Sequence, residues 1–249
     1  MAEPEQTDEQ TSKHERSQDK KFVAQMKRVL GQLARLGPAF DITIDPRFHD
    51  AAEPLTKAKR TMLGYDRLFT LWQSALNVAH LRLPVVEIGT FRGGSAALIA
   101  EALRSANAAC DVHVVDTFEG HIDATITAHD SDEHFGGKFG NTSYEDVKAF
   151  LAAYPRVHVH KGNAASVIAA WPERRYGMVH IDVDLYGPTL DCLRYFGPRL
   201  AEGGVLVMDD YESPTCPGVS LAVHEYLSNG PRFQQWRLHA EQMLLVKAG

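Results

Sequence analysis

The chain reads as an α/β protein with a mostly parallel sheet covered by helices on both faces, and three observations predict it. From Pro84 onward, short runs rich in Val and Ile alternate with longer segments of helical periodicity. Two of those runs, at 178–182 (MVHID) and 205–208 (VLVM), are predominantly apolar without alternation, as strands buried on both faces are. Both end abruptly in carboxylates, Asp182 and Asp184 after the first and Asp209 and Asp210 after the second. A buried parallel strand looks like this when its C-terminal end opens onto a site.

Taken in order, residues 1–21 are nearly all polar or charged and are expected to form a disordered tail. Val23, Met26, Val29, Leu30, Leu33 and Leu36 then recur at helical spacing until Gly37-Pro38 stops the pattern. Residues 41–60, interrupted by Pro46 and Pro54, show no clear period and read as a connecting or lid-like segment. A second helix is predicted over 61–81, with Leu68, Leu71, Trp72, Ala75, Leu76 and Ala79 on one face. Residues 22–83 are therefore expected to be an N-terminal helical cap or lid, and 84–249 the main domain.

In that domain the strands fall at 85–89, 112–116, 157–160, 178–182 and 205–208, with helices at 94–105, 144–153, 164–170 and 189–200. A helix at 222–227 and alternating strands at 232–238 and 242–247, an antiparallel hairpin at the sheet edge, bring the strand count to seven. The interval 117–143 is too polar for core, and such a loop beside a strand's C-terminal end commonly covers a ligand.

With 249 residues, 44% of them hydrophobic, the chain can bury a full core. Its formal charge of −6 argues against a nucleic-acid partner, which needs a concentrated basic surface. Cys110, Cys192 and Cys216 are odd in number and lack zinc-site spacing, so reduced thiols and a cytoplasmic setting are expected. No apolar run is long enough to span a membrane. Apolar surface on the N-terminal helices predicts a homo-oligomer, a dimer or larger.

The first strand runs into Glu87-Ile88-Gly89-Thr90-Phe91-Arg92-Gly93-Gly94-Ser95, a strand-to-helix turn whose glycines allow close approach and whose helix start offers free N–H groups. The Gly-x-x-x-Gly-Gly spacing after an acid differs from the Gly-x-Gly-x-x-Gly of dinucleotide binders. An acid there suits a ligand with a cationic amine, such as S-adenosylmethionine. Asp116, followed by Thr117 and Phe118, ends the second strand where a carboxylate can accept from ribose hydroxyls, and Gly162 and Asn163 after the third could fit an adenine edge. Glu87, Gly89, Thr90, Gly93, Ser95, Asp116, Thr117, Phe118, Gly162, Asn163 and Asp182 are the cofactor-binding candidates.

Four neighbouring carboxylates raise one another's pKa unless a cation or a proton-transfer role accounts for them. Oxygen-only ligands favour a hard cation, magnesium before calcium or manganese, with Asp182, Asp209 and Asp210 as the best ligands. Asp184, two residues past Asp182, reaches further toward a substrate and suits a general base. A hydroxyl attacking a sulfonium methyl needs its proton removed, which is the chemistry this pairing would serve.

The block IDVDLYGPTLDCLRYFGPRLAEGGVLVMDDY with CPGVSLAVHEY, together with TMLGYDRLFTLWQSAL, VVEIGTFRGGSAALIA and VDTFEG, resembles the macrocin O-methyltransferase (TylF) family over about residues 60–230. The resemblance implies a Rossmann-like class I methyltransferase fold and magnesium-dependent methylation of a sugar hydroxyl on a natural product, glycolipid or polysaccharide. It carries metal ligation to Asp182, Asp209 and Asp210, the base to Asp184, the cofactor turn to Glu87, Gly89, Gly93 and Ser95, and the ribose contact to Asp116. The rivals are a catechol-type O-methyltransferase, which usually has Asp-Asn where this chain has Asp209-Asp210, and a non-catalytic S-adenosylmethionine-binding module. Of the remaining polar residues, His80, His113, His158 and His160 read as structural, whereas His121, His129 and His134 in the long loop are substrate-contact candidates. Tyr186, Tyr211, Arg92 and His224 admit either a pocket or a packing role.

Overall fold

The computed structural model describes residues 45–230 and 232–248; the tail at 1–21 and the helix read at 22–36 lie outside the described residues. In chain order the elements are α1 (Pro46–Lys57), α2 (Tyr65–Val78), β1 (Val85–Ile88), α3 (Gly94–Ser105), β2 (Val112–Asp116), α4 (Tyr144–Leu151) and β3 (Val157–Lys161). There follow α5 (Ala164–Ala169), β4 (Tyr176–Ile181), α6 (Tyr186–Arg199), β5 (Leu200–Met208), α7 (Pro217–Asn229), β6 (Phe233–Leu238) and β7 (Gln242–Lys247).

All seven strands join one sheet in the order β3-β2-β1-β4-β5-β7-β6. The first five pair in parallel, and the β6–β7 hairpin runs antiparallel beside β5 with β6 outermost. Val86, Ile88, Val179, Ile181, Leu206, Met208, Met243 and Leu245 share one core cluster with residues of α5, α6 and α7. Because side chains alternate along a strand, the intervening residues face the other way, where α2 packs on β4 and β5 and α3 on β2. Both faces being covered explains why β1 and β4 are buried along their whole length.

The sheet's direction changes at β1, which has β2 on one side and β4 on the other. Crossover connections leave such a point open at the C-terminal edge, and ligands of α/β sheets bind there. In the registers, Val115, Ile88, Ile181 and Met208 lie in one row. The next residues of the four strands, Asp116, Gly89, Asp182 and Asp209, therefore emerge side by side.

Two expectations about elements change. Residues 46–57, read as an irregular connection, form helix α1, with Phe48, Ala52 and Leu55 buried at helical spacing. Pro46 sits at the helix start, where its missing N–H costs nothing, and Pro54 forfeits one helical hydrogen bond. Packing of the buried Phe48 ring against Tyr65, Phe69 and Trp72, at centroid distances of 5.3, 5.0 and 6.0 Å, offsets that loss. Helix α7 likewise starts well before residue 222, with Pro217 in its first turn.

Candidate active site

Gly89 lets the two central strands end this close together. It has φ +86°, and a Cβ built there would fall 1.7 Å from the Asp182 carbonyl oxygen. The glycine is thus required by the neighbouring backbone, whose ladder continues through Asp182 N to Ile88 O at 2.9 Å.

On the β1–β2 side, Asp116 is the organising group. Its Oδ2 accepts from the backbone N–H groups of Thr90 and Phe91 at 2.9 and 2.8 Å, and its Oδ1 from Phe118 at 2.7 Å. Burial pushes its pKa up, and the three N–H bonds oppose that rise. Three of the roughly four acceptor positions of a carboxylate are taken, leaving about one for a ligand hydroxyl. Gly89, Thr90, Ser95, Asp116, Thr117, Gly162, Asn163 and Asp182 all line a single cavity of about 320 Å³.

Glu87, Gly93 and Phe118 do not line it. Glu87 points into the sheet, fully buried, and its Oε1 meets Nδ1 of the equally buried His180 at 3.0 Å. As the residue before Ile88 it falls on the face opposite the cavity-lining Ile88. Gly93 takes φ +81° beneath Val147 and Leu151 of α4, and Phe118 is buried in packing.

On the β4–β5 side, Asp182, Asp184, Asp209 and Asp210 all line the same cavity. One carboxylate oxygen from each of Asp182, Asp209 and Asp210 lies within 4.8 Å of the other two, and one from each of Asp184 and Asp210 lies equally close to Cys216 Sγ. Burial, then the neighbouring Asp209, Asp184 and Asp210 charges, drive the Asp182 carboxyl well above its ordinary range. Burial and the adjacent Asp209 and Asp184 bring Asp210 up to about 7. An all-carboxylate donor set whose members resist ionising together fits a hard divalent cation, which would relieve that repulsion.

Asp184 differs from the other three. It sits at φ 61°, a left-handed conformation uncommon for a side-chain-bearing residue. Burial alone would raise its pKa, but hydrogen bonds from His121 and Asp210 hold it below the usual carboxylate value. His121 Nε2 lies 3.1 Å from its Oδ2, and the Cys216 thiol donates to its Oδ1 at 3.5 Å. The long loop thus delivers His121 to the predicted base, while His134 from the same loop binds the Thr215 carbonyl at 2.9 Å.

The structure also brings in groups that the sequence reading did not single out. Arg67, in the first turn of α2, donates from Nη1 to Asp209 Oδ2 at 2.5 Å and Asp210 Oδ1 at 2.9 Å, and from Nη2 to Glu241 Oε2 at 2.7 Å. Gln242 Nε2 donates to Asp209 Oδ1 at 2.6 Å. In the sequence Arg67 follows an acid on a helix and reads as surface charge. A signal for Gln242 was available: it is a lone amide opening the apolar strand run QMLLV.

Several candidates are placed elsewhere. His129 packs on the Tyr186 ring, Tyr186 hydroxyl donates to Glu225, and Tyr211 hydroxyl pairs with His224 at 2.9 Å; none of the four lines the cavity. Arg92 donates to the carbonyls of Lys59 and Asn141, at 3.4 and 3.2 Å, tying the glycine turn to the segments around it. Among the described residues no helix is long and apolar enough to cross a membrane.

A family model described as macrocin-O-methyltransferase (TylF) matches residues 3–230. The chain is 31% identical over 195 residues to 8-demethyl-8-(2,3-dimethoxy-alpha-L-rhamnosyl)-tetracenomycin-C 4'-O-methyltransferase of Streptomyces olivaceus, covering 73% of this chain and 72% of that protein. It is 30% identical over 192 residues to mycinamicin III 3''-O-methyltransferase of Micromonospora griseorubida, covering 71% and 74%. Among solved structures, the O-methyltransferase NovP superposes with a TM-score of 0.69 at 25% identity, over 76% of this chain and 83% of that one. The calicheamicin methyltransferase CalS11 superposes with a TM-score of 0.63 over 82% and 94%, and at 18% identity it bears on the fold alone.

Proposed function

The chain belongs to the macrocin O-methyltransferase family, and from that premise we propose that it moves a methyl group from S-adenosylmethionine to a hydroxyl of a sugar carried by a natural product, with the help of magnesium. The observation that carries this reading is the convergence of both halves of the chemistry on one cavity. The Gly89–Asp116 side offers backbone and ribose-type contacts, and the Asp182, Asp184, Asp209 and Asp210 side offers an acidic cluster. The two curated relatives are named for methylating sugar hydroxyls of glycosylated natural products, which supports the acceptor class.

Asp116 would accept from a ribose hydroxyl through its remaining acceptor position, while its three backbone bonds keep the glycine turn in place. Asp182, Asp209 and Asp210 would hold the magnesium ion. When bound, that ion lowers the pKa of an acceptor hydroxyl and orients it. Asp184 takes the hydroxyl proton. A carboxylate held below its ordinary pKa is a weak base, so proton removal accompanies methyl transfer and does not precede it. His121 and Cys216 hold the two Asp184 oxygens in the orientation this requires.

The test is a methyl-transfer screen with S-adenosylmethionine and magnesium over rhamnosylated polyketides, macrolide glycosides and simple catechols, read by product mass. Methylation of a glycoside with catechols refused is the expected result. Catechol turnover with every glycoside refused would replace the acceptor reading with the catechol-type one.

A further inference from the structure

The acidic cluster already holds a cation of the chain's own. Arg67 Nη1 is shared between Asp209 Oδ2 and Asp210 Oδ1, two of the three carboxylates proposed to ligate magnesium. We propose that Arg67 is the resident cation of this cluster, occupying Asp209 and Asp210 in the metal-free chain and leaving both when a divalent cation binds. The inference rests on the metal reading above and adds to it an internal competitor.

Three features of the site support displacement over a permanent supporting role. First, like charges repel: a guanidinium within 2.5 and 2.9 Å of two ligand oxygens opposes a doubly charged ion seated on those same atoms. Second, Asp209 does not need Arg67 to keep its orientation, because Gln242, fully buried, holds its other oxygen at 2.6 Å. Third, Arg67 has another partner to stay with. Its Nη2 is bound to Glu241 Oε2 at 2.7 Å, on the more exposed turn before β7, so the guanidinium can leave the cluster without losing its last carboxylate.

The arrangement has a consequence for the cavity. Arg67 belongs to the first turn of α2, and Thr61, Met62 and Leu63, just before that helix, line the cavity with it. Cation occupancy and the position of this wall are thereby connected through one side chain.

The sign of a binding change separates competition from support. Removing a supporting residue loosens the ligands and weakens cation binding; removing a competitor strengthens it. Calorimetric titration of the full chain with Mn²⁺, without cofactor or acceptor, should show Arg67→Gln binding on the order of tenfold or more tightly than wild type. Arg67→Lys keeps the charge and should stay near wild type. Should Arg67→Gln fold poorly, wild-type crystals soaked in Mn²⁺ give the second readout. There Nη1 should have left both Asp209 Oδ2 and Asp210 Oδ1. Equal or weaker Mn²⁺ affinity in Arg67→Gln, or Nη1 still bridging both carboxylates beside a bound ion, overturns the inference while the metal reading stands. If neither wild type nor Arg67→Gln takes up Mn²⁺, the metal reading falls and this inference with it.

Discussion

Two regions of the molecule crowd like titratable groups: the four aspartates at the C-terminal edge of β4 and β5, and His113, His158 and His160 on the β2–β3 flank. In the histidine patch the rings pack on one another and on Trp171, with centroids 5.0 to 5.4 Å apart. Hydrogen bonds account for both His113 nitrogens: Arg174 donates to His113 Nε2 at 3.2 Å, so His113 carries its proton on Nδ1 and faces His160 Nε2 at 3.1 Å. The patch is held by its own hydrogen bonds and ring packing and lines no part of the cavity. The aspartates instead line a cavity, share one arginine, and include carboxyls driven upward by burial and by each other. Clustering alone therefore does not mark a site; access to a cavity and an unbalanced charge do.

The largest effect is expected at the base. Asp184→Asn should lower turnover by about 10² to 10⁴ while S-adenosylmethionine and Mn²⁺ still bind by calorimetry. Turnover close to wild type would place the base elsewhere and leave the acidic end without its catalytic distinction.

Gly89→Ala tests whether the two halves of the cavity depend on one backbone contact. Its Cβ would overlap the Asp182 carbonyl, so the strand ends must part, and binding of both cofactor and cation should be lost together with several degrees of thermal stability. Gly203→Ala is the control: it also has positive φ, +73°, but nothing within 4 Å, and should cost only about 1 kcal/mol. Similar losses in the two variants would mean that conformational strain, not the close approach, makes Gly89 necessary. A smaller and one-sided effect is expected for Asp116→Ala, a roughly tenfold to hundredfold loss of S-adenosylmethionine affinity with Mn²⁺ binding unchanged. Loss of both ligands would show that Asp116 serves the turn more than the cofactor.

The sheet was legible because strands buried on both faces leave continuous apolar runs, and the site edge because those runs stop at Asp116, Gly89, Asp182 and Asp209. What lay outside that logic was any feature set by a distant partner. Glu87 looked like a ligand contact because it precedes a glycine turn, but in a strand its neighbour Ile88 faces the cavity and Glu87 must face His180, which is 93 positions away. Arg67 and Glu241 are both charged residues that local pattern assigns to solvent. Only the closure of the β6–β7 hairpin beside β5 brings Glu241 to Arg67, whose other terminal nitrogen is bonded to Asp209. Helix α1 was hidden for a different reason: two prolines mask a buried face of Phe48, Ala52 and Leu55 whose reward is wholly tertiary.

The histidine patch yields the smallest effect, and one opposite in direction to that of the acids. Burial, then the nearby His158, His160 and Arg174 charges, lower the His113 pKa from 6.5 to about 4. Protonation would also put a hydrogen on Nε2, against the Arg174 donor. Between those values the unfolded chain binds a proton that the folded chain refuses. This contribution is therefore complete above about pH 6.5 and is lost as pH falls toward about 4. Discounted for the residue's partial exposure, it amounts to about 1–2 kcal/mol. The raised carboxyls of Asp182, Asp209 and Asp210 act in the reverse sense, favouring the folded state as pH falls, so the observable is the difference between wild type and His113→Gln. In urea unfolding at pH 7.5, 5.5 and 4.5, wild type should lose stability relative to His113→Gln at each step down, with turnover at pH 7.5 nearly unchanged by the substitution. A pH-independent difference would mean that His113 is held neutral by nothing in the fold, and a large loss of turnover would put the patch on the same functional footing as the aspartates.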